Sequence, residues 1–246
     1  MKRIFDFILS FIGLIISSPI LLPVIFLVWI QDWHSPFYVA PRVGKNEKPF
    51  KMLKLRSMVV NADKSGVDST SSNDKRITGV GKFIRKYKLD ELSQLWNVLI
   101  GDMSLVGPRP NVKRETDLYT SEEKHLLTVK PGITDFSSIV FSDEGDILKD
   151  HSDPDIAYNQ LIRPGKSMLG IFYISHINFF IDIKLIYLTV VAIISKEKAL
   201  SSIVNILKNL GANNILIEIA SRKNKLIPMP PPGAKNIVTN REGRVD

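Results

Sequence analysis

The hydrophobic pattern begins with one long apolar run. Positions 4–30 are apolar except for Asp6 and a few Ser, Gly and Pro residues, and Lys2 and Arg3 precede them. A helix of this length, about 40 Å at 1.5 Å per residue, could cross a hydrocarbon core about 30 Å thick. The run is longer than that of a signal peptide, and no small-residue cleavage site follows it. The pattern predicts a membrane element over residues 1–33.

Two prolines divide this run. Pro19 has no N–H to donate and its ring clashes with the preceding turn, and Pro23 repeats the disturbance one turn later. Each piece is too short to cross alone, so a helix bent at Ser18-Pro19 could enter one leaflet and return. The Ser18 hydroxyl could then bond a carbonyl freed by the proline. Because prolines also kink spanning helices, the pattern leaves spanning and re-entry both open.

After Trp33 the pattern becomes that of a water-soluble domain. Residues 49–58 read as a strand with Lys54 and Arg56 on one face. Two cations so placed could bind a phosphate, or could form an ordinary solvated face. Residues 61–75 are rich in Ser, Asp and Asn and predict a surface loop.

Residues 81–100 carry the most informative pattern. Apolar residues recur at helical spacing in its second half, Gly101 is placed as a helix stop, and Asp90 is placed as an N-cap. Asp90 and Glu91 could be purely structural, because acids at a helix start satisfy free N–H groups and oppose the helix dipole. A helix N-terminus also attracts phosphate, so the same geometry suits a phosphate site.

Arg109 follows in a stiff segment between Pro108 and Pro110. The prolines lower the conformational entropy lost when the arginine is positioned, and its planar fork matches phosphate oxygens. The same arginine could instead pair with a carboxylate of the core.

The C-terminal part contains a second apolar stretch, residues 168–194. Polar residues interrupt it too densely for a lipid-spanning helix, so it predicts an amphipathic helix on the bilayer or a buried core helix. Residues 201–246 are predicted to form a C-terminal extension with a flexible Pro-rich tail beyond Ser221. Residues 34–200 remain as one compact domain.

The charge balance indicates an anionic partner. Thirty-three Lys and Arg residues against twenty-five Asp and Glu give a net charge of +8, which suits phosphorylated substrates, acidic lipid or nucleic acid. The lack of cysteine excludes disulfides and a thiol nucleophile, and it is compatible with a reducing compartment. One alternative is a membrane-anchored basic module that binds lipid or nucleic acid without catalysis. Nucleic-acid binding would require basic residues interleaved with exposed aromatics, of which the sequence offers little.

Five motifs together resemble the monotopic phosphoglycosyl transferases, a family of bacterial sugar transferases. They are SSP in the apolar run, KLRSM, FIRKYKLDELSQLWNVLIGDMSLVGPRP, KPGIT and FIDIKLI, and the likeness covers roughly residues 1–190. With the patterns above, the resemblance implies a helix-rich α+β fold with one compact catalytic domain, interfacial amphipathic helices and an N-terminal re-entrant helix bent at Ser18-Pro19. It places the protein at the cytosolic face of the bacterial inner membrane, with both termini cytosolic.

The resemblance also implies the reaction. Such enzymes move a sugar 1-phosphate from a nucleotide diphosphate sugar, usually a UDP-sugar, to undecaprenyl phosphate and release UMP. Asp90 would be the nucleophile, and a phosphosugar-aspartate would be the covalent intermediate. A carboxylate with a reference pKa near 3.9 is ionised at neutral pH, so it needs no adjacent base.

The same resemblance implies the remaining site residues and partners. Glu91 matches a second catalytic acid, and Mg²⁺ (or Mn²⁺) would be held at Asp90. Residues implied in substrate binding are Lys54, Arg56, Arg85, Arg109 and Asp182. A homodimer and the downstream glycosyltransferases of the pathway are further expected partners, and nucleic acid is not one. After KPGIT this chain has Asp135-Phe136-Ser137-Ser138 where many relatives continue differently, which bears on the donor sugar.

Overall fold

Many helices and two short sheets make up the computed structural model, which describes residues 2–62 and 70–240. The predicted loop 61–75 therefore lies partly outside the described residues. β1 (Phe37–Val43) and β2 (Pro49–Leu55) form an antiparallel pair, and β3 (Ser104–Val106) and β4 (Gly132–Thr134) form a parallel pair. The first helices are α1 (Lys2–Ile30), α2 (Gly79–Lys86), α3 (Leu89–Leu92), α4 (Leu95–Ile100) and α5 (Lys113–Thr116).

The later helices lie between residues 123 and 221. They are a 3₁₀ segment (Glu123–Thr128), α6 (Phe136–Val140), α7 (Glu144–Ile147), α8 (Pro154–Ala157), a π-helical segment (Tyr158–Ile162), α9 (Arg163–Ser175), α10 (Phe179–Ile194), α11 (Lys196–Asn209) and α12 (Asn214–Ser221). Buried side chains of α6, α9, α10 and α11 form one core with β3 and α4. The predicted helix-rich α+β class with a single compact domain is confirmed.

Helix α1 continues across both prolines of the apolar run. The Ser18 hydroxyl donates to the Ile15 carbonyl at 2.8 Å, which is the carbonyl that an N–H at position 19 would have bonded. The predicted serine hydrogen bond is thus confirmed. By length and composition α1 could cross a membrane, and the bend at Ser18-Pro19 stays a prediction.

One face of α1 packs on the domain along the whole helix. The buried residues of α1 recur every three or four positions, with one gap of seven. They are Asp6, Ser10, Ser17, Leu21, Val24 and Val28. Ion pairs hold both ends: Lys2 contacts Asp182, and Asp32, just beyond α1, contacts Arg56. The opposite face exposes large apolar side chains. Both ends of α1 are therefore fixed to the same domain.

The structure refines the C-terminal predictions. The apolar stretch 168–194 is divided between α9 and α10, and α10 buries Leu185 while it exposes Ile194. The predicted boundary at 200/201 falls inside α11, whose Ile203 belongs to the common core. Residues 222–240 form no helix or strand, yet they pack on the domain. Val238 of this tail is buried, and its carbonyl accepts a hydrogen bond from Gln160 Nε2 at 2.7 Å.

Candidate active site

The free edge of β2 is fastened to α3 and α4 by two side chains. Ser93 Oγ donates to the Leu53 carbonyl at 3.2 Å. Asn97 accepts from the Leu53 N–H at 2.8 Å and donates to the Lys51 carbonyl at 2.7 Å. These bonds replace a third strand, so they satisfy buried backbone groups and fix the register between β2 and the helical segment.

This fastening brings Lys54 to Asp90. Ser93 follows Asp90 by three residues in a helical backbone, so their side chains lie on neighbouring positions of one face. Lys54 Nζ lies 4.0 Å from Asp90 Oδ2, and both side chains are largely buried. The pairing of an acid with the predicted phosphate-binding lysine is therefore a product of tertiary packing.

The predicted N-cap role of Asp90 is wrong, because Lys88 occupies that position. Lys88 adopts a left-handed conformation with φ of 56°, and Asp90 lies one residue inside α3. A non-glycine residue in this region costs about 1–2 kcal/mol, which the surrounding fold must offset. Lys88 lies between α2 and α3, so the chain turns there from one helix to the next. Gly101 ends α4 with φ of 97°, as predicted.

Glu91 pairs with Arg109 across the site. Arg109 Nη1 donates to Glu91 Oε1 at 3.1 Å. Arg109 follows β3, where Gly107 and Gly132 approach so closely that a Cβ on Gly132 would lie 2.1 Å from Gly107 N. Only glycine fits at these two positions. The KPGIT turn and the GPRP segment can therefore pack closely, and this packing positions Arg109.

The predicted cations Lys54, Arg85 and Arg109 differ in their electrostatics. Burial, and then the charge of Arg109, lowers the pKa of Lys54 to about 8, although Asp90 and Glu91 oppose this. Burial also lowers the pKa of Arg85, whose Nε donates to Ser57 Oγ at 3.0 Å. For Arg109 the nearby acids outweigh burial and raise the pKa.

Glu91 is ionised at neutral pH. Burial works against its charged form, but the charges of Arg109, Lys88 and Lys54 outweigh burial and hold the pKa of Glu91 below its ordinary value. The site therefore contains two adjacent acids among several cations. A surplus of positive charge in a partly buried pocket favours an anionic ligand.

Two predicted substrate-binding residues serve the packing of the fold. The predicted strand ends at Leu55, so Arg56 is not part of it, and the Arg56 guanidinium donates to Asp32 at 2.5 and 2.6 Å and to the Val28 carbonyl at 3.3 Å. Asp182 is 2% exposed, pairs with Lys2 and accepts from the Tyr173 hydroxyl at 2.6 Å. Arg56 nevertheless lines the same cavity as Asp90 and Glu91, whereas Asp182 is not among the residues that line it, and substrate binding by either residue stays a prediction.

A cavity of about 1170 Å³ extends from the two acids. Its lining also holds charged groups that the sequence analysis missed, including the ion pair of Lys166 with Glu144 and that of Lys196 with Asp143 at 2.5 Å. No motif marks these residues, and the two lysines come from separate helices, α9 and α11. The cavity is at the large end of small-molecule sites, so it has room for a ligand with several chemical groups.

The described residues, 2–62 and 70–240, contain no group of three or more His, Cys, Asp or Glu side chains placed to hold a metal. Mg²⁺ is commonly held by one or two carboxylates together with substrate phosphates. Asp90 and Glu91 supply such carboxylates, so the residues fit an ion completed by a phosphorylated substrate.

Comparison with known proteins decides the family. A family model described as bacterial sugar transferase matches residues 1–196. The chain belongs to the bacterial sugar transferase family. The predicted family and the predicted class of enzyme are thereby confirmed.

Three relatives are similar to this chain over half of its length or more. The uncharacterized sugar transferase EpsL of Bacillus subtilis is 34% identical over 197 residues, 80% of this chain and 89% of its own length. The UDP-glucose:undecaprenyl-phosphate glucose-1-phosphate transferase of Klebsiella pneumoniae is 38% identical over 193 residues, 77% of this chain and 39% of its own. The undecaprenyl-phosphate galactose phosphotransferase of Salmonella typhimurium is 42% identical over 149 residues, 54% of this chain and 31% of its own. Most of the two longer proteins lies outside the match.

Proposed function

We propose that this protein transfers a sugar 1-phosphate from a UDP-sugar to undecaprenyl phosphate and releases UMP. The observation that carries the proposal is the position of Asp90 and Glu91 among Lys54, Arg85 and Arg109 at a large cavity. The names of the relatives from Klebsiella and Salmonella describe this class of reaction.

In the first step an Asp90 carboxylate oxygen attacks the phosphorus that bears the sugar. An oxygen–phosphorus bond forms to Asp90, the bond from that phosphorus to the oxygen of UMP breaks, and UMP keeps the electron pair. The product on the enzyme is a phosphosugar-aspartate. Lys54 is placed to offset the charge on the attacked phosphoryl group, since its Nζ lies beside the Asp90 carboxylate.

In the second step a phosphate oxygen of undecaprenyl phosphate attacks the same phosphorus. The bond to Asp90 breaks, the carboxylate is regenerated, and undecaprenyl diphosphate sugar is released. The hydrogen bond from Arg109 Nη1 to Glu91 Oε1, at 3.1 Å, fixes the orientation of the guanidinium. Arg109 can therefore bind an anionic group without losing much further conformational entropy. Glu91 could also handle the incoming lipid phosphate directly.

Magnesium would fit at Asp90, with Glu91 beside it. When bound, the ion would neutralise charge on the diphosphate of the donor. The residues of the chain bind and orient the substrates in either case, since the cations already surround the acids.

The contacts of α1 support a re-entrant placement with both ends on the cytosolic side of the inner membrane. Lys2 at one end and Asp32 beyond the other are paired with the same domain. A helix that crossed the bilayer would place about 30 Å of hydrocarbon between its two ends. Cysteines introduced at Lys2 and at the exposed Lys48 should both react with a label from the cytosolic side, and labelling from opposite sides would contradict this placement.

The reaction is tested by UMP release from a panel of UDP-sugars with undecaprenyl phosphate and Mg²⁺. We expect turnover by the wild type, none by Asp90→Asn, and a phosphosugar adduct on Asp90 by mass spectrometry. Asp117→Asn is the matched control, since that carboxylate is exposed and pairs only with Lys113 among the contacts described. Full activity of Asp90→Asn would refute the proposed nucleophile, and no turnover on any donor would favour a binding module. A homodimer and transfer of the product to downstream glycosyltransferases remain predictions.

A further inference from the structure

The side chain of Gln94 has a buried nitrogen without a hydrogen-bond partner. Across residues 2–62 and 70–240, its Nε2 is the only buried side-chain nitrogen or oxygen without a hydrogen-bond partner. The residue is 2% exposed and lines the cavity that contains the two acids. Buried polar groups are nearly always paired, and an unpaired one is unfavourable, so such a group needs an explanation.

The backbone places Gln94 beside the acids. It follows Asp90 by four residues and Glu91 by three, and its own φ and ψ of −69° and −16° are helical. Its N–H donates to the Glu91 carbonyl at 3.1 Å. Residues three and four apart on a helical segment are neighbours on one face, so the Gln94 amide belongs to the same part of the cavity wall.

The neighbouring amide Asn97 shows the contrast. Its side chain is also buried, but it bonds the backbone of β2 through both its oxygen and its nitrogen. Gln94 has no such structural task. Because the terminal torsion of a glutamine is soft and no hydrogen bond holds the Gln94 nitrogen, the amide can turn toward a ligand in the cavity.

We propose that Gln94 Nε2 donates a hydrogen bond to a phosphoryl oxygen of the substrate that reacts at Asp90. This inference rests on the proposed function and adds a binding residue to it. The Gln94 donor lies within a cluster whose cations outnumber its acids, since Lys54, Arg85 and Arg109 surround Asp90 and Glu91. An anionic oxygen is the acceptor that such surroundings favour, and a hydrogen bond to a charged acceptor is stronger than one to a neutral hydroxyl.

The test compares inorganic pyrophosphate binding by the full-length wild type, Gln94→Met and Gln94→Glu, measured by calorimetry. Methionine keeps the length of the side chain and removes the donor, so affinity should fall about tenfold or more. Glutamate places a carboxylate in the same position, so it should weaken binding further. Affinity retained by Gln94→Glu would overturn the assignment to a phosphoryl oxygen, and equal affinity in the wild type and Gln94→Met, or none in either, would overturn the role of Gln94.

Thermal unfolding separates this role from a structural one. Removing an unpaired amide should leave the thermal midpoint of Gln94→Met unchanged or raised, whereas Asn97→Leu, which removes a fully bonded amide, should lower it. A clear drop in the midpoint of Gln94→Met would mean that the amide supports the fold.

Turnover measured in parallel keeps the two proposals apart. If Gln94→Met loses pyrophosphate binding but the wild type shows no turnover, only the proposed reaction is refuted. If the wild type turns over substrate and Gln94→Met binds pyrophosphate as well as the wild type does, only the role of Gln94 is refuted.

Discussion

Lys54 Nζ and Asp90 Oδ2 lie 4.0 Å apart although 36 residues separate them in the chain. The distance is set by Ser93 and Asn97, which fasten the free edge of β2 to the helical segment that carries Asp90. The pair is close enough for electrostatic interaction and still open to an anionic ligand. Lys54 is therefore the residue whose charge should govern the pH dependence of the reaction.

We expect activity to fall as the pH rises through about 8. The pKa of Lys54 is lowered to about 8 by burial and by Arg109, so the lysine loses its charge there, and the rate should drop about tenfold per pH unit on the alkaline side. Lys54→Arg keeps the charge and should move the alkaline limb upward. An unchanged alkaline limb in this variant would show that another group titrates.

The stability of the wild type should respond to pH in the opposite sense. Lys54 has a lower pKa in the folded chain, about 8, than its ordinary value of 10.5, so the unfolded state binds more protons between these values. Its contribution to the free energy of unfolding should thus increase as the pH rises from about 8 to 10.5. Denaturant titrations of the wild type and Lys54→Met across this range measure the difference.

Arg109→Met should destabilise the protein by about 1–3 kcal/mol, because it leaves the largely buried Glu91 carboxylate without its hydrogen-bond partner, although the charges of Lys88 and Lys54 remain. The double variant Arg109→Met with Glu91→Gln should recover most of that stability and remain inactive, because the guanidinium that we propose to bind phosphate is still absent. Urea unfolding and UMP release measure the two effects. Recovery of activity in the double variant would show that Arg109 serves only to neutralise Glu91.

Arg56→Met should reduce stability by about 1–3 kcal/mol and change kcat by less than about threefold, because it removes the hydrogen bonds of the guanidinium to the partly exposed Asp32 and to the Val28 carbonyl of α1. The pKa of Asp32 is lowered from 3.8 to about 2 by its hydrogen bonds from Arg56. This stabilisation is fully present above the ordinary pKa of the carboxyl group and should be lost as the pH falls through about 2. A large loss of kcat with unchanged stability would return Arg56 to the substrate site.

Gly132→Ala should destabilise the protein by several kcal/mol and reduce activity, because its Cβ would lie 2.1 Å from Gly107 N and force β3 and β4 apart. Gly79→Ala is the matched control, since no atom lies within 4 Å of the added Cβ and the site is in the first turn of α2. The control should be neutral or slightly stabilising. Equal thermal midpoints for the two variants would contradict the close approach of the glycines.

Motif residues close together in the sequence were predicted best. Asp90, Glu91 and Arg109 are brought together at the cavity, and Gly101 ends α4 as expected. Local chemistry also predicted the Ser18 bond, because a proline frees one defined carbonyl within the same helix. In these cases the physical cause lies within a turn or two of the residue concerned.

Features that depend on distant contacts could not be predicted. The strand pattern placed Arg56 beside Lys54, but the partner Asp32 lies beyond the end of α1, and Asp182 is taken up by Lys2 and Tyr173. Sequence alone thus determined a long apolar helix, a basic domain and an acidic pair near a helix start. Only the tertiary structure decided which cations face that pair and which amide is left unbonded, because burial and pairing are set by segments that meet only after folding.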